Sequence, residues 1–273
     1  MTLEHYLKKW DLSAAIFVTG TQTSKIYKVE REGAESSLIL KLLSEEGIRD
    51  EAPGAIALKT FGGSGAVELI ESDQGAHLLE YADGRSLLDL VDGGEDERAL
   101  SIIIDTIEKL HGRRSDTNPG GLVSLERRFR ALFKNDLPSE PLFEKARQIA
   151  RNLLATQKNA IVLHGDIHHE NIIESSERGW LAIDPKGIYG EHTYDYVNTL
   201  MNPVSRESLV QDKKRLFAQI DSMVERASLD RERLIPFLFC HSCLSAAWSI
   251  DAGESPDHAL KIAVLVEPEL KGL

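Results

Sequence analysis

The sequence predicts an α+β fold of two lobes, a small N-terminal lobe built on an antiparallel sheet and a mainly helical C-terminal lobe. Short β-rich runs separated by turn residues fill the first part of the chain, and helical periodicity replaces them after residue 82. A chain of 273 residues is also long enough to bury two cores. We place the boundary at a short hinge, which divides the chain into residues 1–82 and 83–273.

The N-terminal sheet is predicted from five runs rich in β-branched and other apolar residues. These runs are residues 14–18, 25–30, 37–43, 66–71 and 76–81. Glycine, serine, threonine and aspartate lie between them and favour turns. One helix, over residues 44–61, separates the third run from the fourth. A meander with a single inserted helix is typical of a small α+β lobe with an antiparallel sheet.

The C-terminal lobe is predicted from apolar residues at helical spacing. Leu100, Ile103, Ile104, Ile107 and Leu110 lie on one face of a helix. Further helices are expected at residues 122–134, 141–156, 209–227, 231–250 and 258–266. A non-helical segment interrupts them between residues 160 and 190, where two short apolar runs flank polar loops.

Charge and cysteine content restrict the partners and the compartment. The chain carries 32 Lys and Arg against 44 Asp and Glu, a formal charge of −12, which argues against nonspecific nucleic-acid binding and suits a cationic small molecule. Two cysteines cannot stabilise a fold of this size, so a reducing compartment is expected. No apolar run approaches the roughly 18 residues of a membrane helix, and the first residues lack a signal-peptide pattern. We expect a soluble, cytoplasmic protein with no membrane partner.

The densest polar cluster lies in the non-helical segment, in His164-Gly-Asp-Ile-His-His-Glu-Asn171 and Ile183-Asp184-Pro-Lys-Gly187. Apolar strands deliver Asp166, Asn171 and Asp184 to loop ends. Two carboxylates and an amide oxygen are hard ligands that suit Mg²⁺ bound to phosphates, and one carboxylate could instead accept a proton from a hydroxyl nucleophile. Each residue alone could be a turn former. The ordered set favours a site.

These two loops resemble the catalytic loop and the metal-binding segment of the protein-kinase-like superfamily in its aminoglycoside phosphotransferase form. The longer strings, with Cys243-Leu-Ser-Ala-Ala-Trp248, are similar to the streptomycin 6-kinase and hydroxyurea phosphotransferase group. The resemblance extends over about residues 20–248. It implies a bilobal protein-kinase-like fold with ATP and Mg²⁺ as cofactors. It further implies that Asp166 is the catalytic base and that Asn171 and Asp184 hold Mg²⁺ against the phosphates.

The resemblance also implies a nucleotide-binding ion pair. Lys41, in Leu38-Ile-Leu-Lys-Leu, matches the lysine that contacts the α- and β-phosphates, and Glu51 matches its helix partner. An alternative makes Lys41 a charge that protects an edge strand from aggregation. Pro53 disfavours helix nearby, so we expect it to end or kink the helix and weaken the pair.

Two further segments resemble nucleotide contacts. Gly20-Thr21-Gln-Thr-Ser-Lys25 resembles the phosphate-covering turn between the first two strands, and its backbone amides and hydroxyl groups could donate to phosphate oxygens. Residues 78–84 align with the hinge strand. By this resemblance the Glu80 carbonyl and the Ala82 amide would hydrogen-bond the adenine edge.

The histidines and cysteines admit structural interpretations. His164 is expected to organise its loop, and His169 to be structural or exposed. His168 occupies a position where many protein kinases have a lysine, so it is expected to approach the γ-phosphate. A zinc site built from the three lacks the usual helical i, i+4 spacing. Cys240-His-Ser-Cys243 is better explained by two buried small side chains than by a metal or redox site.

Residues for the acceptor are the least defined by the sequence. Candidates to surround a guanidinium- or amine-bearing sugar are Glu170, Glu191, Trp248, Asp251 and Glu254, each of which could equally be an ordinary surface or core residue. Lys186 either offsets phosphate charge or covers its loop. Asp195 is expected to cap a helix or brace the catalytic loop.

The function implied is transfer of the γ-phosphoryl group of ATP to a hydroxyl of a small cationic molecule. The favoured acceptor is an aminoglycoside of the streptomycin type, phosphorylated at its 6-hydroxyl, which makes the protein an antibiotic resistance kinase. Two alternatives stay open: a kinase of the same fold that acts on another metabolite, and a nucleotide-binding module without phosphotransfer.

Overall fold

A five-stranded antiparallel sheet forms the N-terminal part of the computed structural model, which describes residues 2–34, 36–112, 118–134, 137 and 141–270. Its strands, in the order β1-β2-β3-β5-β4, are β1 (Leu12–Gly20), β2 (Ser24–Arg31), β3 (Leu38–Leu43), β4 (Leu69–Asp73) and β5 (Ala76–Glu80). Helix α1 (Leu3–Lys9), which we did not predict, precedes them; Thr2 caps it by accepting a hydrogen bond from His5 N.

The fourth strand of the sheet begins later than predicted, and the residues before it contact the C-terminal lobe. β4 starts at Leu69, whereas Ala66 forms a parallel bridge with Ala182 of the C-terminal lobe. The Val67 amide donates to the Ala182 carbonyl at 3.0 Å, and the Ala182 amide donates to the Gly65 carbonyl at 2.8 Å. Backbone hydrogen bonds therefore connect the lobes directly.

Helix α2 (Glu45–Phe61) runs through Pro53, so the expectation that this proline ends the helix is wrong. The helix begins at Ser44, whose hydroxyl accepts from Gly47 N at 3.1 Å, and ends at Gly62 in the left-handed conformation. Its second half packs into the main core through Ala57, Leu58 and Phe61. Burial of this face outweighs the hydrogen bond that a proline cannot make.

Eight helices follow in the described part of the C-terminal lobe. They are α3 (Leu87–Asp92), α4 (Asp96–Gly112), α5 (Leu125–Arg128), α6 (Pro141–Ala155), α7 (Glu207–Val210), α8 (Lys213–Arg226), α9 (Arg231–Ala252) and α10 (Asp257–Val266). Two predictions need correction. Residues 122–134 contain strand β6 (Val123–Ser124), α5 and a 3₁₀ turn, and residues 209–227 divide at Asp212, which caps α8.

The predicted non-helical segment contains four short strands. They are β7 (Ala160–Leu163), β8 (Ile172–Ser175), β9 (Gly179–Ala182) and β10 (Ile188–Glu191). β7 pairs with β10, which also pairs with β6, while β8 and β9 form a hairpin. The polar loops of the sequence cluster follow β7 and β9.

Helix α9 lies in the largest hydrophobic core. Among the described residues it is long and apolar enough to cross a membrane by length and composition, so the expectation that no apolar run reaches this length is wrong. Of its most apolar stretch, 72% is buried inside the structure. The apolar character of α9 is that of a core helix.

Candidate active site

The loops after β7 and β9 meet beside β3, and this brings together four side chains that the sequence predicted. Lys41 projects from β3, Asp166 follows β7, and Asp184 follows β9. Asn171 ends a short 3₁₀ turn directly before β8. Ion pairs and hydrogen bonds connect the side chains of Lys41, Asp184, Lys186 and Asp166 in series.

Lys41 is buried and makes two ion pairs. Its Nζ lies 2.7 Å from Glu51 Oε2 and also contacts Asp184 Oδ1. β3 lies between β2 and β5, so the interpretation of Lys41 as an edge-strand charge is wrong. Because helix α2 continues past Pro53, Glu51 stays in place to orient the lysine.

Asp184 adopts a left-handed backbone conformation, with φ of 58°. Burial alone would raise the pKa of this carboxyl, but the charges and hydrogen bonds of Lys41 and Lys186 hold the pKa well below its usual range. Lys186 Nζ lies 3.0 Å from Asp184 Oδ2. The carboxylate is therefore ionised at neutral pH, as a metal ligand must be.

Asp166 is held by hydrogen bonds to its backbone and to its side chain. Asn198 Nδ2 donates to Asp166 Oδ1 at 2.9 Å, and Lys186 Nζ lies 3.6 Å from Asp166 Oδ2. Asn171 Nδ2 donates to the Asp166 carbonyl at 3.0 Å. Since the amide nitrogen of Asn171 makes this bond, its oxygen is the atom with which it would bind a cation.

His164 organises the loop, as predicted. The ring is fully buried; Nε2 donates to the Ile183 carbonyl at 2.9 Å, and Nδ1 accepts from the Asp166 amide at 3.2 Å. Burial lowers the pKa of His164, so the ring stays neutral and can accept at Nδ1. This histidine connects the loop that carries Asp166 to the loop that carries Asp184.

Asp195 stabilises the backbone of the loop that carries Asp166. Its carboxylate accepts from the Gly165 amide at 2.6 Å, from the His164 amide at 2.9 Å and from His111 Nε2 at 3.0 Å. The side chain is buried, which would raise its pKa, but His111, His164 and the Gly165 amide lower the pKa below its usual value. The carboxylate fixes the backbone immediately before Asp166.

The other two histidines of the cluster, His168 and His169, make few hydrogen bonds among the described residues. His168 Nδ1 accepts from the Glu170 amide at 3.4 Å, and the buried ring of His169 has no hydrogen-bond partner among the described residues. Within the described chain, no three His, Cys, Asp or Glu side chains are arranged to hold a metal ion. Both nitrogens of His164 are already used.

The turn that resembles a phosphate-covering loop is tied to the Lys41 ion pair. Thr23 Oγ1 donates to Glu51 Oε1 at 3.3 Å, and the Thr23 carbonyl accepts from the Ser44 amide at 2.8 Å. Thr21 Oγ1 lies 3.1 Å from Thr23 Oγ1 and accepts from the Ser24 amide at 3.2 Å. The turn after Gly20 is thereby attached to the beginning of α2.

The hinge is pinned to the β8–β9 hairpin. Arg178 contacts the carboxylate of Glu80, and Asp83 accepts from the amide and the hydroxyl of Ser176 at 2.9 and 2.8 Å. The predicted adenine contacts use the backbone of Glu80 and Ala82. The side-chain bonds of Glu80 and Asp83 attach the residues on either side of Ala82 to the hairpin.

One of the predicted acceptor residues, Glu191, lies in the core. Glu191 is 1% exposed and forms a core ion pair with Arg233, whose Nε lies 2.9 Å from Glu191 Oε1, so its assignment to the pocket is wrong. Asp251 pairs with Lys134 at the surface. Trp248 packs against the ring of His241 and under the guanidinium of Arg128.

Sequence reasoning missed Asn198, which contacts Asp166 directly. The residue lies three positions after Asp195, in a segment of short turns. Its only signal was proximity to an aspartate already expected to brace the loop. Asparagine is common in turns for purely local reasons, so its presence there does not by itself indicate a site.

Comparison with known proteins gives a family. Residues 9–253 match the aminoglycoside/hydroxyurea antibiotic resistance kinase family. Streptomycin 3''-kinase from Klebsiella pneumoniae is 38% identical over 210 residues, which cover 76% of this chain and 78% of that enzyme. Streptomycin 6-kinase from Streptomyces griseus is 27% identical over 270 residues, which cover 94% and 84%.

A comparison with solved structures identifies the fold. A thermostable mutant of aminoglycoside phosphotransferase APH(4)-Ia, in a ternary complex with ADP and hygromycin B, superposes with a TM-score of 0.66 over 97% of both chains, at 11% identity. At this identity the likeness shows the fold alone. It confirms the predicted bilobal protein-kinase-like fold class.

Proposed function

The chain belongs to the aminoglycoside/hydroxyurea antibiotic resistance kinase family, and we propose that it transfers the γ-phosphoryl group of ATP to a hydroxyl of a streptomycin-type aminoglycoside. One observation carries the proposal. Lys41 contacts Asp184, Lys186 lies between Asp184 and Asp166, and Asn171 is bonded to the backbone of Asp166. This is the set of charges that phosphoryl transfer requires.

The donor set fits Mg²⁺. Asp184 supplies an ionised carboxylate and Asn171 an amide oxygen, both of which are hard ligands, and phosphate oxygens and water would complete the coordination. We assign these two residues to the metal. When bound, Mg²⁺ offsets the negative charge of the phosphates.

Asp166 is assigned as the general base. The acceptor oxygen forms a bond to the γ-phosphorus, the bond from that phosphorus to the β–γ bridging oxygen breaks, and the hydroxyl proton passes to the Asp166 carboxylate. Asn198 Nδ2 lies 2.9 Å from Oδ1, whereas Asn171 Nδ2 and Lys186 Nζ lie farther from Oδ2, at 3.5 and 3.6 Å. Oδ2 has the weaker contacts and is the oxygen we assign to the proton. A base in hydrogen-bond contact with the acceptor typically contributes about 10²–10⁴-fold.

Two lysines are assigned to the phosphates. Lys41 would contact the α- and β-phosphates and is held by Glu51, which accepts a hydrogen bond from Thr23 in the turn that begins at Gly20 and Thr21. Lys186 lies between Asp184 and Asp166 and would face the transferred group. Its pKa, lowered by burial, is raised overall by the two carboxylates, which keeps it charged. Contacts of His168 with the γ-phosphate remain a prediction, as do those of the Glu80 and Ala82 backbone with adenine.

The acceptor assignment rests on the relatives and on charge. Streptomycin carries guanidinium groups, which suit a chain of net charge −12. The 3''-kinase relative has the higher identity, at 38% against 27% for the 6-kinase. The 3''-hydroxyl of streptomycin is therefore a second candidate for the phosphorylated position, beside the predicted 6-hydroxyl.

We also propose that the protein is cytoplasmic and that the boundary between its lobes lies between residues 82 and 83.

The test is a coupled assay of MgATP consumption with streptomycin, hygromycin B, hydroxyurea and choline as acceptors. Asp166→Ala serves as the inactive control. Turnover with streptomycin supports the proposal, and phosphorus-coupled NMR of the product shows which hydroxyl is esterified. If only another acceptor is phosphorylated, the assignment of streptomycin as the substrate is wrong. If ATP binds but no acceptor is phosphorylated, phosphotransfer to these acceptors is refuted.

A further inference from the structure

A chain of hydrogen bonds leads from Asp166 into the core of the C-terminal lobe. Asn198 Nδ2 donates to Asp166 Oδ1 at 2.9 Å, and Asn198 Oδ1 lies 3.4 Å from His241 Nε2. His241 Nδ1 lies 2.8 Å from the hydroxyl of Tyr194. The four side chains come from the base loop, from the segment after β10, and from α9.

Chemistry fixes the direction of every bond in this chain. A carboxylate only accepts, so Asn198 must present its amide nitrogen to Asp166 and its oxygen to His241. His241 Nε2 must then carry the proton, which leaves Nδ1 to accept from the hydroxyl of Tyr194. The side chain of Asn202 also donates to Asn198 Oδ1, at 3.3 Å, which supports the same orientation of the amide.

Burial keeps the arrangement in one protonation state. Tyr194 and His241 are each 2% exposed. Burial and the charge of Arg128 lower the pKa of His241 to about 3, so the ring is neutral at physiological pH and has one N–H. The rings of Tyr194 and Trp248 pack edge-on against it, with centroids at 5.4 and 5.9 Å. The ring cannot turn over without loss of both hydrogen bonds.

We propose that Asn198 is a positioning residue for the catalytic base, and that His241 and Tyr194 hold Asn198 in the orientation that lets it donate to Asp166. The bond to Oδ1 fixes the rotation of the carboxylate and directs Oδ2 to the acceptor. Asp195 fixes the backbone of the same loop from a position three residues earlier. This inference rests on the proposed phosphotransfer, in which Asp166 is the base.

The expected kinetic effect falls on kcat and decreases along the chain. Asn198→Ala should lower kcat about tenfold to a hundredfold, the usual range for a hydrogen bond to a charged group, with the KM for ATP unchanged. His241→Phe should lower kcat less. His241→Gln, which restores an N–H donor, should recover part of that loss, and Tyr194→Phe should have the smallest effect. Asn152→Ala, at an exposed asparagine of α6, is the matched control.

A second measurement does not require turnover. In protein labelled with ¹⁵N-histidine, His241→Gln identifies the His241 resonances among those of the nine histidines. We expect the tautomer with the proton on Nε2, and we expect Asn198→Ala and Asp166→Ala each to shift the Nε2 signal. Far-UV circular dichroism and ATP binding confirm that each variant is folded.

The outcomes separate this inference from the proposed function. A graded loss of kcat at constant KM, with the Nε2–H tautomer, supports the positioning role. A proton on Nδ1, or an unchanged kcat in Asn198→Ala, overturns it. If no acceptor is phosphorylated, the proposed function fails, and the NMR measurement alone decides the hydrogen-bond chain: unshifted His241 signals in both variants would refute it.

Discussion

The two loops of the candidate site differ in their contacts with the lobes: one is held within the C-terminal lobe, and the other contacts both lobes. The base loop, residues 164–171, is fixed within the C-terminal lobe by Asp195 and Asn198. The loop of the proposed metal ligand Asp184, residues 184–187 (here the metal loop), also contacts the N-terminal lobe: Lys41 binds Asp184, and Gly187 lies against the backbone of Pro53 in α2.

This difference separates two functions of the site. The proposed base, Asp166, is positioned by contacts within the C-terminal lobe, so changes there should affect the chemical step. The metal loop is bonded to β3 and pressed against α2, so changes in either lobe should affect the binding of the metal and nucleotide. Variants that act on only one loop can test whether the two functions are separable.

The largest effect is expected at the base. Asp166→Asn removes the proton acceptor but keeps the size of the side chain, so kcat should fall by about 10²–10⁴-fold while the ATP dissociation constant stays nearly constant. Steady-state kinetics and isothermal titration calorimetry measure the two quantities. Glu97→Gln, at an exposed carboxylate of α4, is the control. Wild-type turnover in Asp166→Asn would exclude Asp166 as the base.

The next effect is expected at the metal loop. Asp184→Ala removes an ionised ligand and a partner of Lys41, so Mg²⁺-dependent ATP binding should weaken by about tenfold or more, since an uncompensated buried charge is left behind. Calorimetry with MgATP and with ATP in EDTA makes the comparison. Asp221→Ala, at a carboxylate on the outer surface of α8, is the control. An identical dependence on Mg²⁺ in Asp184→Ala would remove this residue from the metal site.

A smaller effect should follow from the contact between the metal loop and α2. A Cβ on Gly187, which has φ of 63°, would overlap the Pro53 carbonyl, so Gly187→Ala must separate the loop from the helix. Gly179→Ala has a similar φ of 74° but open space around it. We expect Gly179→Ala to cost about 1 kcal/mol of stability, and Gly187→Ala to cost more and to weaken MgATP binding. Equal effects of the two substitutions on MgATP binding would contradict the attachment of this loop to α2.

The smallest effect concerns a histidine of the sheet. His77 lies on β5 opposite Lys41; burial, and then the lysine charge, lower its pKa to about 4 from 6.5. Between pH 6.5 and about 4 the unfolded chain binds a proton that the folded chain does not. The free energy of unfolding should therefore fall as the pH falls through this window, by about 1 kcal/mol per pH unit from this group.

Urea denaturation at several pH values tests this assignment. His77→Gln should reduce the slope of stability against pH between 6.5 and 4, whereas His5→Gln, at an exposed histidine, should leave it unchanged. A slope in His77→Gln equal to that of the wild type would show that His77 is not the group responsible.

Local patterns were sufficient for the sheet, most helices and the clustered site residues. Asp166, Asn171 and Asp184 lie within one short segment, between apolar runs that form β7, β8 and β9, so their convergence follows from the order of strands and loops. Lys41 could be identified because it is a charged residue within the apolar run that forms β3. Short helices such as α1 and α3 have too few turns to show a periodic pattern.

The failures come from contacts between distant parts of the chain. Pro53 stays inside a helix because the second half of α2 is buried in the main core. Glu191 resembled a pocket acid, but Arg233 pairs with it from another helix. Asn198 reaches Asp166 across a stretch of 32 residues. No local pattern contains these partners.

Helix α9 carries the only two cysteines of the sequence, Cys240 and Cys243, and both are free and buried. Burial raises the pKa of both thiols, that of Cys243 to about 12, so neither is a nucleophile while the helix stays in the core. The rate of alkylation by a thiol reagent therefore reports how often the centre of the large lobe opens. The native chain thus contains its own reporter of core opening, with no label to introduce.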